Sequence, residues 1–425
     1  MREDIQVGIK RSTLMTAITV VLAIGTAGIQ PAAADGWLPT WSASQQRVWE
    51  PNFFPPVGIP RAIRDQTLRQ VARVSLGGRQ VRVRFSNLYG TQPLHIGAAH
   101  VAISAGGAAI NAGSDRVLTF GGKPSITIPP GAPAVSDPVD LDVPALASLA
   151  VSTYLPDVSP TTTWHNDARQ TAYLSASSNQ TSAESFEAAQ TFPSRIFLEG
   201  ILIDKPADGR TVVLFGDSIT DGDGSTRDAN HRWPDFLAER LHEKGVPVAV
   251  SNQGISGARV LRDQLGDNAL ARFDRDVLSQ PGVDTVVLMM GINDIGWEDT
   301  LLVPKTEKAP SADEIITGYK QLIARAHDEG LRIVGATLTP FENTFAGTPL
   351  FGYYSEEKEA KREQVNSFIR SGAFDAFIDF DAALRDPANP KHIRAEYDAG
   401  DHLHPNDAGY KAMADAVDLA ALGVK

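Results

Sequence analysis

The sequence predicts a chain in two parts: a β-sandwich or jelly roll over residues 35–207, then a three-layer α/β/α domain with a parallel sheet over 208–425. Three observations carry this. Short runs of alternating apolar and polar residues, parted by Gly and Pro, fill the first half. After Arg210 the period changes, and fully apolar strands alternate with amphipathic helices. The length of 425 residues is enough for two cores.

Residues 1–34 read as a signal peptide. Lys10 and Arg11 form a positive flank, Leu14 to Ile29 is apolar and uncharged, and Ala32-Ala33-Ala34 offers a small-residue cleavage site before Asp35. An uncleaved anchor is the alternative, but the run is short for a span and rich in Ala, Gly and Thr. No other segment is long and apolar enough to cross a bilayer. The expectation is a secreted or periplasmic protein with no integral membrane segment after cleavage.

In the first half, Ala72, Val74 and Leu76 alternate with Arg73 and Ser75, and Val81, Val83 and Phe85 alternate with Arg82 and Arg84. With Gly77-Gly78 between them, the two runs predict a hairpin. Further short strands are expected at 94–96, 100–103, 116–120, 125–128 and 149–154, and Pro206-Ala207-Asp208-Gly209 is the expected joint. In the second half, strands are expected at 211–215, 246–251, 285–290, 332–338 and 376–380. Trp233, Phe236, Leu237 and Leu241 recur at helical spacing and Gly245 closes that helix. Ser311 with Glu314 forms a capping box for a helix to about Glu329, and Asn406 to Leu422 reads as the closing helix.

The net charge of −12 gives no electrostatic reason to seek nucleic acid or an anionic membrane. The chain has no cysteine, which excludes disulfides and thiolate metal sites.

Four polar clusters fall where the strands of the second half end, the edge on which open parallel sheets build their sites. They are Gly216-Asp217-Ser218, Gln253-Gly254, Gly291-Ile292-Asn293-Asp294 and Asp401-His402-Leu403-His404-Pro405. Together, over about 210–425, they resemble the GDSL, or SGNH, hydrolase family. The resemblance implies Ser218 as nucleophile, with Asp401 and His404 completing its triad. It implies an oxyanion hole made of the Ser218 amide, the Gly254 amide and the Asn293 side chain. The N-terminal β half is similar to an extra domain of some secreted bacterial members.

The chemistry is also sound on its own terms. A serine hydroxyl needs a base to take its proton, and an imidazole oriented by a carboxylate is that base. A separation of three positions from Asp401 to His404 lets one turn present both. Attack on an ester makes an oxyanion, which two backbone N–H groups and an amide side chain can hold. The G-x-S-x-G elbow of the α/β-hydrolases is absent from the chain.

Asp217 and Asp294 read as turn residues and His402 as a rim residue. Asp221-Gly222-Asp223-Gly224-Ser225 resembles the start of a calcium loop, but the sixth position is Thr226 and the twelfth Arg232, so that reading is rejected. The remaining histidines have no metal spacing, and no cofactor is expected. Trp164 and His165 read as surface or domain-interface packing, and the aromatic loop Phe341 to Tyr354 reads equally as cleft wall or satellite core. The expected function is a serine esterase that removes acetyl or other short acyl groups, with acylated oligo- or polysaccharide as the partner substrate. A lipase, lysophospholipase or arylesterase is the enzyme alternative. A carbohydrate-binding protein with an inactive hydrolase domain is the non-enzyme one.

Overall fold

The computed structural model describes residues 36–50, 53 and 57–424. The expected signal peptide lies outside the described residues.

The longer strands of the first half are β1 (Trp37–Ser42), β2 (Gln66–Arg73), β3 (Gly78–Ser86), β4 (Ala98–Gly106), β5 (Ser148–Leu155), β6 (Ala172–Ser177) and β7 (Leu198–Asp204). They form two antiparallel sheets. One runs β1-β7-β3, with short strands Pro133–Val135 and Val139–Val143 also paired to β3. The other contains β6-β2-β5-β4 in that order. Leu68, Ala72, Val101, Leu149 and Val151 from the second sheet share one core with Val81, Val83, Phe85, Leu198 and Ile201 from the first.

The expected hairpin across Gly77-Gly78 is therefore corrected. β2 and β3 do not pair with each other; each joins a different sheet. The alternation was read correctly, but burial against a common core sends the two strands to opposite sides of it. The turn itself is packed: a side chain on Gly77 would meet the Val143 carbonyl at 2.4 Å.

The second half holds a five-stranded parallel sheet ordered β9-β8-β10-β11-β12, from β8 (Arg210–Gly216), β9 (Val248–Gly254), β10 (Val283–Met289), β11 (Arg332–Ala336) and β12 (Ala376–Ile378). Its helices are α1 (Ser218–Asp221), α2 (Trp233–Glu243), α3 (Ala312–Asp328), α4 (Glu356–Arg370) and α5 (Asp407–Ala416), with shorter turns between. Successive strand residues face opposite ways. Val213, Phe215, Val286 and Leu288 pack with Ile315, Tyr319 and Leu322 of α3 and Val365 and Ile369 of α4. Val212, Leu214 and Val287 pack with Leu237 and Leu241 of α2 and Tyr410 and Met413 of α5. The Ser311–Glu314 capping box is present, with the Glu314 N–H donating to Ser311 Oγ at 3.2 Å and the Ser311 N–H to Glu314 Oε2 at 2.8 Å. The closing helix is shorter than expected. It ends at Ala416, and Asp418 then caps a separate 3₁₀ turn over Leu419–Leu422.

The two halves belong to one compact unit, Gly36–Lys425. Ser42 Oγ lies 2.7 Å from Ser251 Oγ, and the Val250 N–H donates to Ser75 Oγ at 3.0 Å. Leu38, Ile203 and Ala249 add an apolar contact.

Candidate active site

The sheet order places β8 between β9 and β10, where successive connections leave in opposite directions. That is the topological switch point at which parallel sheets open a crevice. Register brings the motif-bearing ends level: Gly216 pairs with Gly254 on one side and with Met289 on the other. Buried Arg272 holds these ends together. Its Nη2 donates to the Gly216 carbonyl and its Nη1 to the Gln253 carbonyl, each at 2.9 Å, and Asp276 balances its charge at 2.9 Å.

Ser218 opens α1. Asp217 caps that turn by accepting the Ile219 N–H at 3.1 Å. Ser218 Oγ lies 2.8 Å from His404 Nε2, and His404 Nδ1 lies 2.6 Å from Asp401 Oδ2. The other Asp401 oxygen accepts the Leu403 and His404 N–H groups at 3.0 and 2.8 Å, so one carboxylate shapes the turn and orients the ring. Ser218 is 2% exposed and His404 9%. The three predicted triad residues are thus in one hydrogen-bonded line, which can move a proton from hydroxyl to imidazole.

Electrostatics favour the imidazolium. Burial alone would oppose a charge on His404, but the bonded Asp401 carboxylate outweighs it, with Asp223 and Asp217 adding to the effect, and its pKa rises to about 9. Burial likewise works against the Asp401 charge, yet the bond to His404, its charge and the two N–H groups bring Asp401 down to about 2. Asp223 was not singled out as a site residue from the sequence. It lies 3.9 Å from His404 Nε2 and accepts Ser256 Oγ–H at 3.0 Å. A base must be neutral to accept a proton, so kcat/KM should climb with pH through the His404 value. Burial, with the nearby Asp167 charge, pushes the Asp223 carboxyl itself well above the ordinary carboxylate range; in its charged form it favours the imidazolium, so Asp223→Asn should move that ascending limb to lower pH. A pH–rate profile on both proteins checks this, and an unmoved or raised limb would remove Asp223 from the account.

The predicted oxyanion donors divide. Among the described residues the Ser218 N–H has no hydrogen-bond partner. Asn293 is held at both ends: Tyr353 Oη–H donates to its Oδ1 at 2.8 Å, and its Nδ2 donates to the Ala258 carbonyl at 3.1 Å, which leaves one N–H over. Gly254 is a correction. Its N–H already donates to Asn252 Oδ1 at 2.9 Å. Its lack of a side chain serves packing, since a Cβ there would meet the Asp221 N at 2.3 Å. Gly257, next to the Ala258 whose carbonyl Asn293 bonds and at φ +76°, has an N–H with no partner among the described residues. The signal that could have found it was the second glycine of Gly254-Ile255-Ser256-Gly257, passed over for the one at the strand end.

The remaining polar residues have structural partners. Asp294 accepts the Val260 and Leu261 N–H groups at 2.7 and 3.1 Å, and burial raises it to about 6. Asp217 is raised to about 7, again chiefly by burial. His402 takes φ +62° and pairs with Asp398 at 2.5 Å, turned from His404 by a bend rather than by strand alternation. Asp221 splits its oxygens between His165 Nε2 at 2.9 Å and Ser256. His165 therefore crosses from the β half to the turn that carries Ser218, while Trp164 is buried in the β core. The aromatic loop serves both ends: Phe341 and Tyr353 are buried in the core, and Phe345 stands with its ring 6.3 Å from that of His404. Among the described residues no three His, Cys, Asp or Glu group so as to hold a metal ion, and no helix is long and apolar enough to cross a membrane.

Residues 214–412 match the model of the GDSL-like Lipase/Acylhydrolase family. Among solved structures, a GDSL-like lipase from Bacteroides thetaiotaomicron is 18% identical, covering 50% of this chain and 88% of its own, with a TM-score of 0.37. A catalytic mutant of an acetylxylan esterase from Geobacillus stearothermophilus is 24% identical, covering 52% and 97%, with a TM-score of 0.38. No curated protein matches the chain. The Ser–His–Asp line lies within residues 214–412, the stretch that carries the GDSL-like lipase/acylhydrolase domain match.

Proposed function

We propose that the protein is an exported serine esterase in which Ser218 attacks the ester carbonyl and His404, oriented by Asp401, acts as general base and then general acid. The observation that carries this reading is the line Asp401–His404–Ser218, at 2.6 and 2.8 Å. Proton transfer to His404 frees the alkoxide, a tetrahedral oxyanion forms, and its collapse expels the alcohol, protonated by His404. Water then repeats the sequence on the acyl-enzyme. The Ser218 amide, the Gly257 amide and the spare Asn293 N–H are the donors for the oxyanion. Export rests on the leader over residues 1–34, and the β-sandwich reading of 35–207 and the hydrolase boundary at 208 belong to the same proposal.

The acyl group is short. Ser218 is 2% exposed, and the ground about the Gly257 and Asn293 donors is filled. A side chain at Gly257 would meet Leu265 at 2.1 Å and Trp297 at 3.1 Å, and Tyr353 is bonded to Asn293. The alcohol half is carbohydrate, held against the β half. An apolar acyl tunnel would gain about 0.8 kcal/mol for each added methylene, so kcat/KM would improve with chain length. A closed pocket should instead give a maximum at acetate to butyrate and a fall beyond by exclusion. A series of p-nitrophenyl esters from acetate to palmitate, beside acetylated oligosaccharides, tests this. A maximum at eight carbons or longer would replace the short-acyl reading by a lipase.

A further inference from the structure

Two residues of the β half reach past its own core into the scaffold of the triad. His165 ends the short strand Thr163–His165, and its side chain is buried. Its Nδ1 lies 3.0 Å from the Ser44 carbonyl, which can only accept, so this nitrogen carries a proton. Its Nε2 lies 2.9 Å from Asp221 Oδ1. Burial works against a charge on the ring, and so does Arg195, but the Asp221 carboxylate and the Ser44 carbonyl outweigh them and raise the pKa above the ordinary histidine value. The contact is a buried ion pair between the two halves. Ser44 itself donates through Oγ to Asp276 and accepts from Arg272 Nη1 at 3.0 Å, the arginine that holds the Gly216 and Gln253 carbonyls.

Asp221 is the last residue of α1, the turn that Ser218 opens. Its second oxygen accepts the Ser256 N–H at 3.2 Å and lies 3.1 Å from Ser256 Oγ. Ser256 directly precedes Gly257, a proposed oxyanion donor. One carboxylate therefore ties the nucleophile's turn to the donor's segment. A carboxylate keeps such a place in the interior when a cation is bonded to it, and among the described residues that cation is His165.

We propose that His165 is a positioning residue for ester hydrolysis: by pairing with Asp221 it fixes the Ser218 turn and the Ser256–Gly257 segment in their mutual geometry, so that the β half completes the hydrolase site. This rests on the esterase reading above and deepens it. His165 acts through Asp221 and takes no part in proton transfer.

The test compares His165→Asn and His165→Gln in the full chain, with p-nitrophenyl acetate as substrate, well below Tm. Asn keeps a donor where Nδ1 stands and cannot reach Asp221, whereas Gln carries its amide nitrogen to where Nε2 stands. His165→Asn should lower kcat about 10–100-fold with KM within about two-fold of the unaltered value, and His165→Gln should recover most of that loss. A purely structural bond would lower Tm and leave kcat alone. An unchanged kcat in His165→Asn, or a His165→Gln protein no better than His165→Asn, would overturn the proposal. Should His165→Asn not fold, the double variant His165→Asn/Asp221→Asn, which leaves neither charge of the pair alone, takes its place with the same expected loss. Ser218→Ala serves as the control for the underlying reading. Turnover lost in Ser218→Ala but kept in His165→Asn removes the positioning role and leaves the esterase standing, while turnover kept in Ser218→Ala removes both.

Discussion

Ser218→Ala should lower kcat for ester hydrolysis by roughly 10⁶ while leaving the protein folded. Among the described residues the side chain makes one hydrogen bond, to His404 Nε2, and Asp217 caps the turn without it. Loss of the hydroxyl removes the nucleophile, so the acyl-enzyme cannot form. Triad members act as a unit, so adding His404→Ala to Ser218→Ala should cost little more. Steady-state kinetics on the single and double variants, with circular dichroism as the control for folding, measure this. A fluorophosphonate should label Ser218 in the unaltered protein. Near-normal turnover by Ser218→Ala, or labelling at another residue, would end the proposed mechanism.

Asn293→Ala should cost about 10²–10³ in kcat with little change in KM, equivalent to about 2.7–4 kcal/mol. Its spare N–H meets a charge that exists only after attack, so the loss falls on the transition state. The substitution also strips partners from Tyr353 Oη and the Ala258 carbonyl, so Tm should fall modestly as well. Comparing kcat with KM separates the two effects. A raised KM with an unchanged kcat would make Asn293 a binder of ground-state substrate.

Much of the candidate site was legible because its chemistry is local. Asp401 and His404 sit on one turn, and the Ser218 and Asn293 motifs each follow an apolar strand that the period reveals. What escaped was long-range. Asp223 gains its place beside His404 only because the Gly222–Gly224 turn folds back. Gly254 and Gly257 are equally plausible as text, and hydrogen-bond occupancy alone separates them. Helix α4 was missed because its inward face carries Lys358, Glu359, Arg362 and Asn366 beside Val365 and Ile369. Arg362 is matched there by Glu359 at 2.6 Å and Asp381 at 3.0 Å. A face buried through ion pairs shows no apolar period.

The sequence by itself determined the change from β to α/β near Arg210, the parallel strands, the helix caps and which residues are candidates for the triad. Each depends on side-chain periodicity or on groups a few residues apart, which a linear text displays. Only the tertiary structure decided which sheet β2 and β3 enter, that the Gly254 N–H is taken up by Asn252, and that His165 of the β half reaches Asp221 of the hydrolase half. Those outcomes depend on which surfaces share a core and which polar atoms are already satisfied. Both are properties of contacts between distant segments, set by burial and by hydrogen-bond competition rather than by any local pattern.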